Sequence, residues 1–285
     1  MKHLNEQQIL TSNYPYYKYS LDYALDSLER MRHENIEFYG CFPHFHLDDV
    51  GYKDVRQLKR KLKDHHLCTV CFTPEQCLYP VNIAAKDPVA RKRSLQVFEK
   101  SILYGSELGA RYVVVLAGYG TLDEEEKDVW PRSVEALGIL GELAEKCGVK
   151  LVLETSPREY TTTHNSADVL RMIREVDCSA VKGMIDTATL GFSGETMEEA
   201  VHDLEGHLAH VHVADGVPNG HLILGEGNLD IPEMLRVLEQ AEYDGPLSLE
   251  ILNDRYIRDP HRAMETSLMM LKKYMIKRLL KTIKS

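Results

Sequence analysis

The sequence predicts a single-domain α/β fold, a (β/α)8 barrel spanning residues 1–285. Three observations lead there. Short apolar segments alternate with helical patterns eight times, which implies a parallel sheet covered by helices. No Pro/Gly/Ser-rich linker or low-complexity tract divides the chain. The turns after the strands carry no G-x-G-x-x-G, so an open dinucleotide-binding sheet has no support.

The candidate strands are QQILTSNY (7–14), NIEFYGCF (35–42), LCTVCFT (67–73), ARYVVVLAG (110–118), KLVLET (150–155), VKGMIDT (181–187), AHVHVAD (209–215) and PLSLEIL (246–252). The helices between them are punctuated. Asp87-Pro88 supplies an N-cap and a proline at the first helical position, and Gly109 ends that helix. The next helix is read as starting near Pro131 and ending at Gly148. Thr196 with Glu199, and Asp230 with Glu233, have capping-box spacing. Asp259-Pro260 opens the last helix, and its tail KKYMIKRLLKTIKS puts apolar residues at helical spacing beneath a solvated lysine face.

Composition is that of a soluble globular protein, 44% hydrophobic and 27% charged. A formal net charge of −10 argues against a dedicated nucleic-acid binder, whose affinity comes mainly from basic contacts to phosphate. MKHLNEQQIL lacks an apolar signal-peptide core, and no run approaches the ~20 apolar residues of a membrane span. The expected localisation is cytoplasmic, with no membrane partner. The six cysteines, at 41, 68, 71, 77, 147 and 178, are then reduced thiols. Cys68 and Cys71 form a C-x-x-C inside a strand, where residues three apart face opposite sides. They are expected to be buried structural cysteines rather than a chelate or redox pair.

Four strands end on residues that carry chemistry: Glu154, Asp186, His212 and Glu250 on the fifth to eighth strands. In such barrels the active site lies at the C-terminal rim. Adjacent strands are about 4.8 Å apart, so four inward side chains at one level would converge. Alternation supports inward pointing: Val152 shares a face with Glu154, Met184 with Asp186, His210 with His212 and Ser248 with Glu250. His210 lies one layer deeper and is assigned to packing. One such residue alone is ordinarily solvated, salt-bridged or packed. Three crowded carboxylates, however, repel one another, and a divalent cation removes that cost. Three oxygen ligands and one imidazole suit Mn²⁺, with Mg²⁺, Co²⁺ or Zn²⁺ as alternatives, and leave positions open for substrate.

These residues resemble the xylose isomerase-like TIM-barrel sugar isomerases and epimerases, a family that includes tagatose/psicose 3-epimerases and, more distantly, endonuclease IV. The resemblance spans nearly the whole chain. The family's Glu…Asp…His…Glu metal set falls on Glu154, Asp186, His212 and Glu250. LGEGNLDIPEMLRVLEQAEYDGPLSLE resembles the segment between its last two ligands. FTPEQCLYPVNIAAKDPVARKRSLQVFEKSI and IEFYGCFPHFH resemble fructoselysine 3-epimerase-type members. Two positions depart from free-ketose epimerases: Thr189 stands where a His is common and Pro218 where an Arg is common, and both of those residues hold the ketose diol end. The resemblance therefore defines the family more sharply than the substrate.

It implies a metal-dependent epimerase or isomerase of a ketose or ketose-amine, with Glu154 and Glu250 as catalytic acid and base on opposite faces of an enediolate. Glu159 resembles the family's second Glu after the first ligand. His44 and His46 near the end of the second strand, Glu75 at the end of the third, and Arg158 and His221 on rim loops are expected substrate contacts. Asp215 is expected to support the site from behind. The loop GVPNGHLILGEG has no Lys or Arg, so a neutral or amine-linked sugar is favoured over a phosphosugar. The resemblance also implies a homo-oligomer. Three alternatives stay open: a metal-dependent lyase on an oxo-sugar or oxidised glycoside, an endonuclease IV-like nuclease, and a non-catalytic sugar-binding barrel.

Overall fold

The structure is a computed structural model that describes residues 4–77, 80–157, 159–217 and 220–282. Eight parallel strands close into a barrel in chain order. They are β1 (Ile9–Ser12), β2 (Asn35–Gly40), β3 (Cys68–Pro74), β4 (Tyr112–Val115), β5 (Lys150–Leu153), β6 (Val181–Asp186), β7 (Leu208–Val213) and β8 (Leu247–Leu249). Each matches one of the eight expected segments. Closure is made by β1 pairing with β8, Ile9 opposite Leu247.

The strands read as near-continuous apolar runs because both faces are covered. Leu10, Cys71, Val114, Val152 and Met184 pack together inside the barrel. Ile36, Phe38, Val113, Leu151, Leu153 and Val211 belong to the larger outer core shared with the helices. The inner cluster confirms the alternation expected for Val152 and Met184, and hence the inward direction of Glu154 and Asp186.

The covering helices are α1 (Leu21–Arg30), α2 (Tyr52–Asp64), α3 (Pro88–Leu108), α4 (Glu126–Cys147), α5 (Ser166–Val176), the short α6 (Leu190–Ser193), α7 (Met197–Asp203), α8 (Ile231–Gln240) and α9 (Pro260–Thr282). Asp87 caps α3 through the Ala90 N–H, and Gly109 ends it at φ +95°, a conformation without a Cβ penalty. Thr196 and Glu199 form the reciprocal capping box of α7. Asp230 caps α8, while the Glu233 carboxylate holds Arg236. Helix α9 buries Ala263, Met264, Leu268, Leu271 and Met275, and Lys272 reaches Glu6 at 3.0 Å.

Two expectations are corrected. Helix α4 begins at Glu126, and Pro131 lies inside it. The acidic first turn, Glu126 and Asp128, favours the helix N-terminus. The proline removes one N–H near that end, and the neighbouring Asp128 carbonyl accepts from the Arg132 guanidinium at 2.7 Å. Cys68 is exposed at the start of β3, and only Cys71 of that pair is buried. The β2–β3 register slips between Ile36 and Glu37, which face Thr69 and Cys71, so Val70 is the extra residue of a bulge. That slip puts consecutive residues Val70 and Cys71 into one inner cluster. All six cysteines are free thiols. Among the described residues no helix is long and apolar enough to cross a membrane.

Just beyond β4, Gly118 adopts φ +81°, and a Cβ there would lie 2.6 Å from the Ala84 backbone nitrogen. Gly118→Ala is expected to lower the unfolding free energy by about 2 kcal/mol, through strain and overpacking together. Urea denaturation at unchanged m-value measures it.

Candidate active site

The rim that receives the ends of β5 to β8 gathers the four residues. Pairing of β6 with β7 sets Asp186 opposite His212, and pairing of β7 with β8 sets His212 opposite Ser248. Glu154 and Glu250 are the first residues past their strands, each anchored by its N–H to a neighbouring strand carbonyl, Val115 and Val213. His212 Nδ1 lies 3.3 Å from Glu154 Oε1 and 2.7 Å from Glu250 Oε2. Asp186 Oδ1 accepts from the Ala188 N–H at 2.8 Å, which leaves Oδ2 facing the rim. His221 Nε2 lies 3.0 Å from that oxygen and 3.4 Å from Glu250 Oε2.

One functional residue was missed from sequence. Glu37, on β2, is fully buried. Its Oε2 meets His210 Nε2 at 2.8 Å and its Oε1 meets His212 Nε2 at 2.9 Å. The Tyr14 hydroxyl and the Thr73 hydroxyl also donate to Oε1, at 2.8 and 2.6 Å. An ionised carboxylate only accepts, so both Nε2 atoms carry hydrogens. The outward Nδ1 of His212 is aimed at Glu154 and Glu250, and in the cation-free chain, against the effect of burial, the charges of Glu37 and Glu250 hold this imidazole protonated. His210 is fully buried one layer deeper, as expected, but burial lowers its proton affinity and it is held by a hydrogen bond to Glu37 as well as by packing. The signal in the sequence was a carboxylate in the middle of the apolar strand NIEFYG.

The remaining candidates separate. Glu75 is buried, accepts from the Cys77 N–H at 2.7 Å, and lines a cavity of about 490 Å³ together with Glu154, Glu250, Tyr14, Tyr39 and Thr73. Glu75 and His46 also line an adjoining cavity of about 210 Å³. His44 stands apart. Its Nδ1 meets the Asn13 amide at 2.9 Å and its Nε2 the Tyr19 carbonyl at 3.1 Å, so it buttresses the loop instead of facing sugar. Glu159 is exposed in a turn and lines neither cavity. Arg158 and Pro218 lie outside the described residues. Asp215 acts on the loop before α8: its carboxylate accepts from the N–H groups of Gly216, Gly225 and Leu229.

Charges follow from these contacts in the chain without a bound cation. Burial alone would raise Glu37, but His212 and His210 hold it well below the usual carboxylate range. Burial, with the neighbouring charges of Glu250 and Asp186, pushes Glu154 up to about 7 against the pull of His212. Glu250 is lowered: burial opposes this, and the imidazoles of His221 and His212 overcome it. Two carboxylates a few ångströms apart are thus driven in opposite directions, a common property of acid–base pairs.

The donor set also fits a divalent cation. His212 Nδ1 and Glu250 Oε2 are buried without a hydrogen-bond partner, although they are 2.7 Å apart. In the cation-free chain this contact is an ion pair, and a cation seated there would take the place of the His212 Nδ1 proton. Two such groups occur here, Glu154 with His212 and Glu250, and Asp186 with His221 and Glu250.

A family model described as xylose isomerase-like TIM barrel matches residues 16–274. Fructoselysine 3-epimerase of Shigella flexneri is 26% identical over 84% of this chain and 88% of its own length. Inosose dehydratase of Clostridium perfringens is 25% identical over 74% of this chain and 80% of its own. The crystal structure of 3-keto-D-glucoside 4-epimerase from E. coli shares the fold at a TM-score of 0.78 and 22% identity, covering 93% of this chain and 99% of that one.

Replacing Glu37 by Gln leaves two imidazole N–H donors facing a single carbonyl oxygen and an amide. Glu37→Gln is expected to cost about 3 kcal/mol of stability, and Tyr14→Phe, which removes one donor only, about 1 kcal/mol. Equilibrium urea unfolding of both variants checks the order.

Proposed function

This chain belongs to the xylose isomerase-like TIM-barrel family, and from that premise we propose that it is a divalent-cation-dependent epimerase of a ketose or ketose-amine. The observation that carries the reading is the convergence of Glu154 and Glu250 on His212 Nδ1 at the strand C-termini. Glu154, Asp186, His212 and Glu250 would hold the cation. A cation bound there supplies Lewis acidity that acidifies the C–H beside a sugar carbonyl and stabilises the enediolate.

The protein's own groups do the rest. Glu154 and Glu250 come from β5 and β8 and flank His212 from two sides, so they reach a sugar in the cavity from different directions. One removes the proton and the other returns one to the opposite face, which inverts the carbon. Glu75 and His46 are placed to hydrogen-bond hydroxyls farther along the chain of the sugar. The aromatic wall of Tyr14 and Tyr39, stacked at 4.5 Å, shields the reacting end from water. The cavity of about 490 Å³ has room for a sugar carrying a substituent, in keeping with a ketose-amine.

A second reading is elimination from the same enediolate, favoured by the likeness to inosose dehydratase. It loses a leaving group, whereas epimerisation conserves mass, so product analysis separates the two.

Incubation with Mn²⁺ in D₂O against ketoses and glycated amines, followed by NMR, should show exchange of one C–H and growth of its epimer. Glu154→Gln and Glu250→Gln are each expected to slow that exchange by about 10²–10⁴-fold. Retained exchange in both variants would remove them as the acid–base pair.

The raised Glu154 carboxyl makes cation binding depend on pH. Without the cation this group keeps its proton up to about pH 7, and binding displaces it. Affinity therefore falls as pH drops through about 7, and more protons are released on binding at about pH 6 than at about pH 8.5, with the raised His212 imidazole adding its own proton to that of Glu154. Stability of the metal-free chain runs the opposite way. The folded carboxyl holds a proton that the unfolded one has lost, so this group's contribution declines as pH rises from about 4.5 to about 7. Calorimetric titration in buffers of different ionisation enthalpy measures the released protons.

A further inference from the structure

We infer that Lys18 and Asp254, which line the same cavity as Glu154 and Glu250, bind the carboxylate and the ammonium of an α-amino acid that the sugar carries through its side-chain amine. The inference rests on the epimerase reading above and names the substituent which that reading leaves open.

Both residues line the cavity of about 490 Å³. They come from neighbouring loops, because β1 and β8 pair where the barrel closes. Lys18 lies between β1 and α1, and Asp254 opens the 3₁₀ turn Asp254–Tyr256 between β8 and α9. Two tyrosine hydroxyls stitch these loops together. Tyr17 donates to the Asp254 carboxylate at 2.5 Å, and Tyr19 to the Ile257 carbonyl at 2.8 Å. Asn253 anchors the turn from its other side: its side-chain oxygen accepts from the Arg255 N–H at 3.2 Å, and its amide donates to the Gly220 carbonyl at 2.8 Å. Loops tied down in this way hold their charges in place before a ligand arrives, which lowers the ordering cost of binding.

Tyr17 also keeps the two charges apart. Lys18 Nζ lies over its ring, 4.9 Å from the centroid, while Asp254 sits at its hydroxyl edge. Among the described residues no ion pair joins Lys18 to Asp254, and each contacts the tyrosine instead. One ring thus presents a cation on its face and an anion at its edge. The complementary ligand carries an anion and a cation on one carbon, and an α-amino acid head is that group.

A plain amine fits less well. The other charged residues lining the cavity, Glu75, Glu154, Glu250 and Asp254, are all carboxylates, and acidic walls alone would draw any amine. Lys18, the one cation lining the cavity among the described residues, changes the selection. It opposes a bare ammonium and favours one accompanied by a carboxylate. A free α-ammonium and a free carboxylate both survive only if the sugar is joined through the side-chain nitrogen. The methylene arm of such a conjugate suits Leu252 and Ile257, which line the same cavity.

Steady-state kinetics of the Mn²⁺-loaded full chain test this, with calorimetric binding measured in parallel with and without Mn²⁺. Four substrates are needed: a ketose joined to the side-chain amine of lysine, that conjugate acetylated on its α-amine, that conjugate lacking its carboxylate, and the isomer joined through the α-amine. The wild type is expected to favour the first over each of the others by about fivefold in kcat/KM, carried by KM, the size of one partly exposed charge contact. Lys18→Met should erase the preference over the decarboxylated conjugate, and Asp254→Asn the preference over the acetylated one. Each effect is a ratio between two substrates on one variant, so a general loss of activity cancels. Turnover with ratios that these substitutions leave unchanged would overturn the subsite and leave the epimerase reading standing. Binding that depends on Lys18 and Asp254 without any turnover would uphold the subsite and overturn the chemistry. Neither binding nor turnover would overturn both.

Discussion

The site depends on a contact that never reaches its surface. Glu37 divides its two oxygens between His210 and His212, inside the barrel and away from solvent. The contact runs from β2 to β7, strands separated in the sheet by β1 and β8, so it crosses the lumen. Only a closed barrel brings those strands face to face. By taking the Nε2 hydrogen of His212, Glu37 fixes which nitrogen faces outward, and the orienting partner of a ligand histidine has just this effect. A buried carboxylate with one acceptor unmet would be costly, and Tyr14 and Thr73 complete its shell.

Around that hinge of charge, the rim concentrates negative groups. Glu154, Asp186 and Glu250 stand within a few ångströms of two imidazoles, and their environments diverge. Two carboxylates with different protonation tendencies around one histidine are the pattern that proton transfer uses, in keeping with the function proposed above. The chain's net charge of −10 has the same sign as this local excess of carboxylates.

The sequence was informative where a local rule acts alone. The eight strands, the Asp87-Pro88 start and Gly109 stop of α3, and the Thr196–Glu199 capping box follow from short-range geometry. The inward parity of Val152 and Met184 held because side chains alternate along an unbulged strand. Reading failed where a non-local partner decides. Pro131 looked like a helix start, yet α4 extends past it with Arg132 answering the carbonyl beside it. Cys68 and Cys71 looked equivalent, yet the bulge at Val70 and the strand's end separate them. His44 looked like a sugar contact, yet Asn13 and the Tyr19 carbonyl occupy both of its nitrogens.

By itself the sequence determined the barrel class, the level at which Glu154, Asp186, His212 and Glu250 leave their strands, and the family likeness. These are properties of periodicity and of spacing along one chain, which local backbone geometry converts into direction. Tertiary structure alone decided that Glu37 orients His212, that His221 turns inward to Asp186 and Glu250, and that Glu154 and Glu250 differ in proton affinity. Each of these joins residues from strands or loops far apart in sequence, and the energy of a buried charge depends on what closes around it, which no linear pattern records.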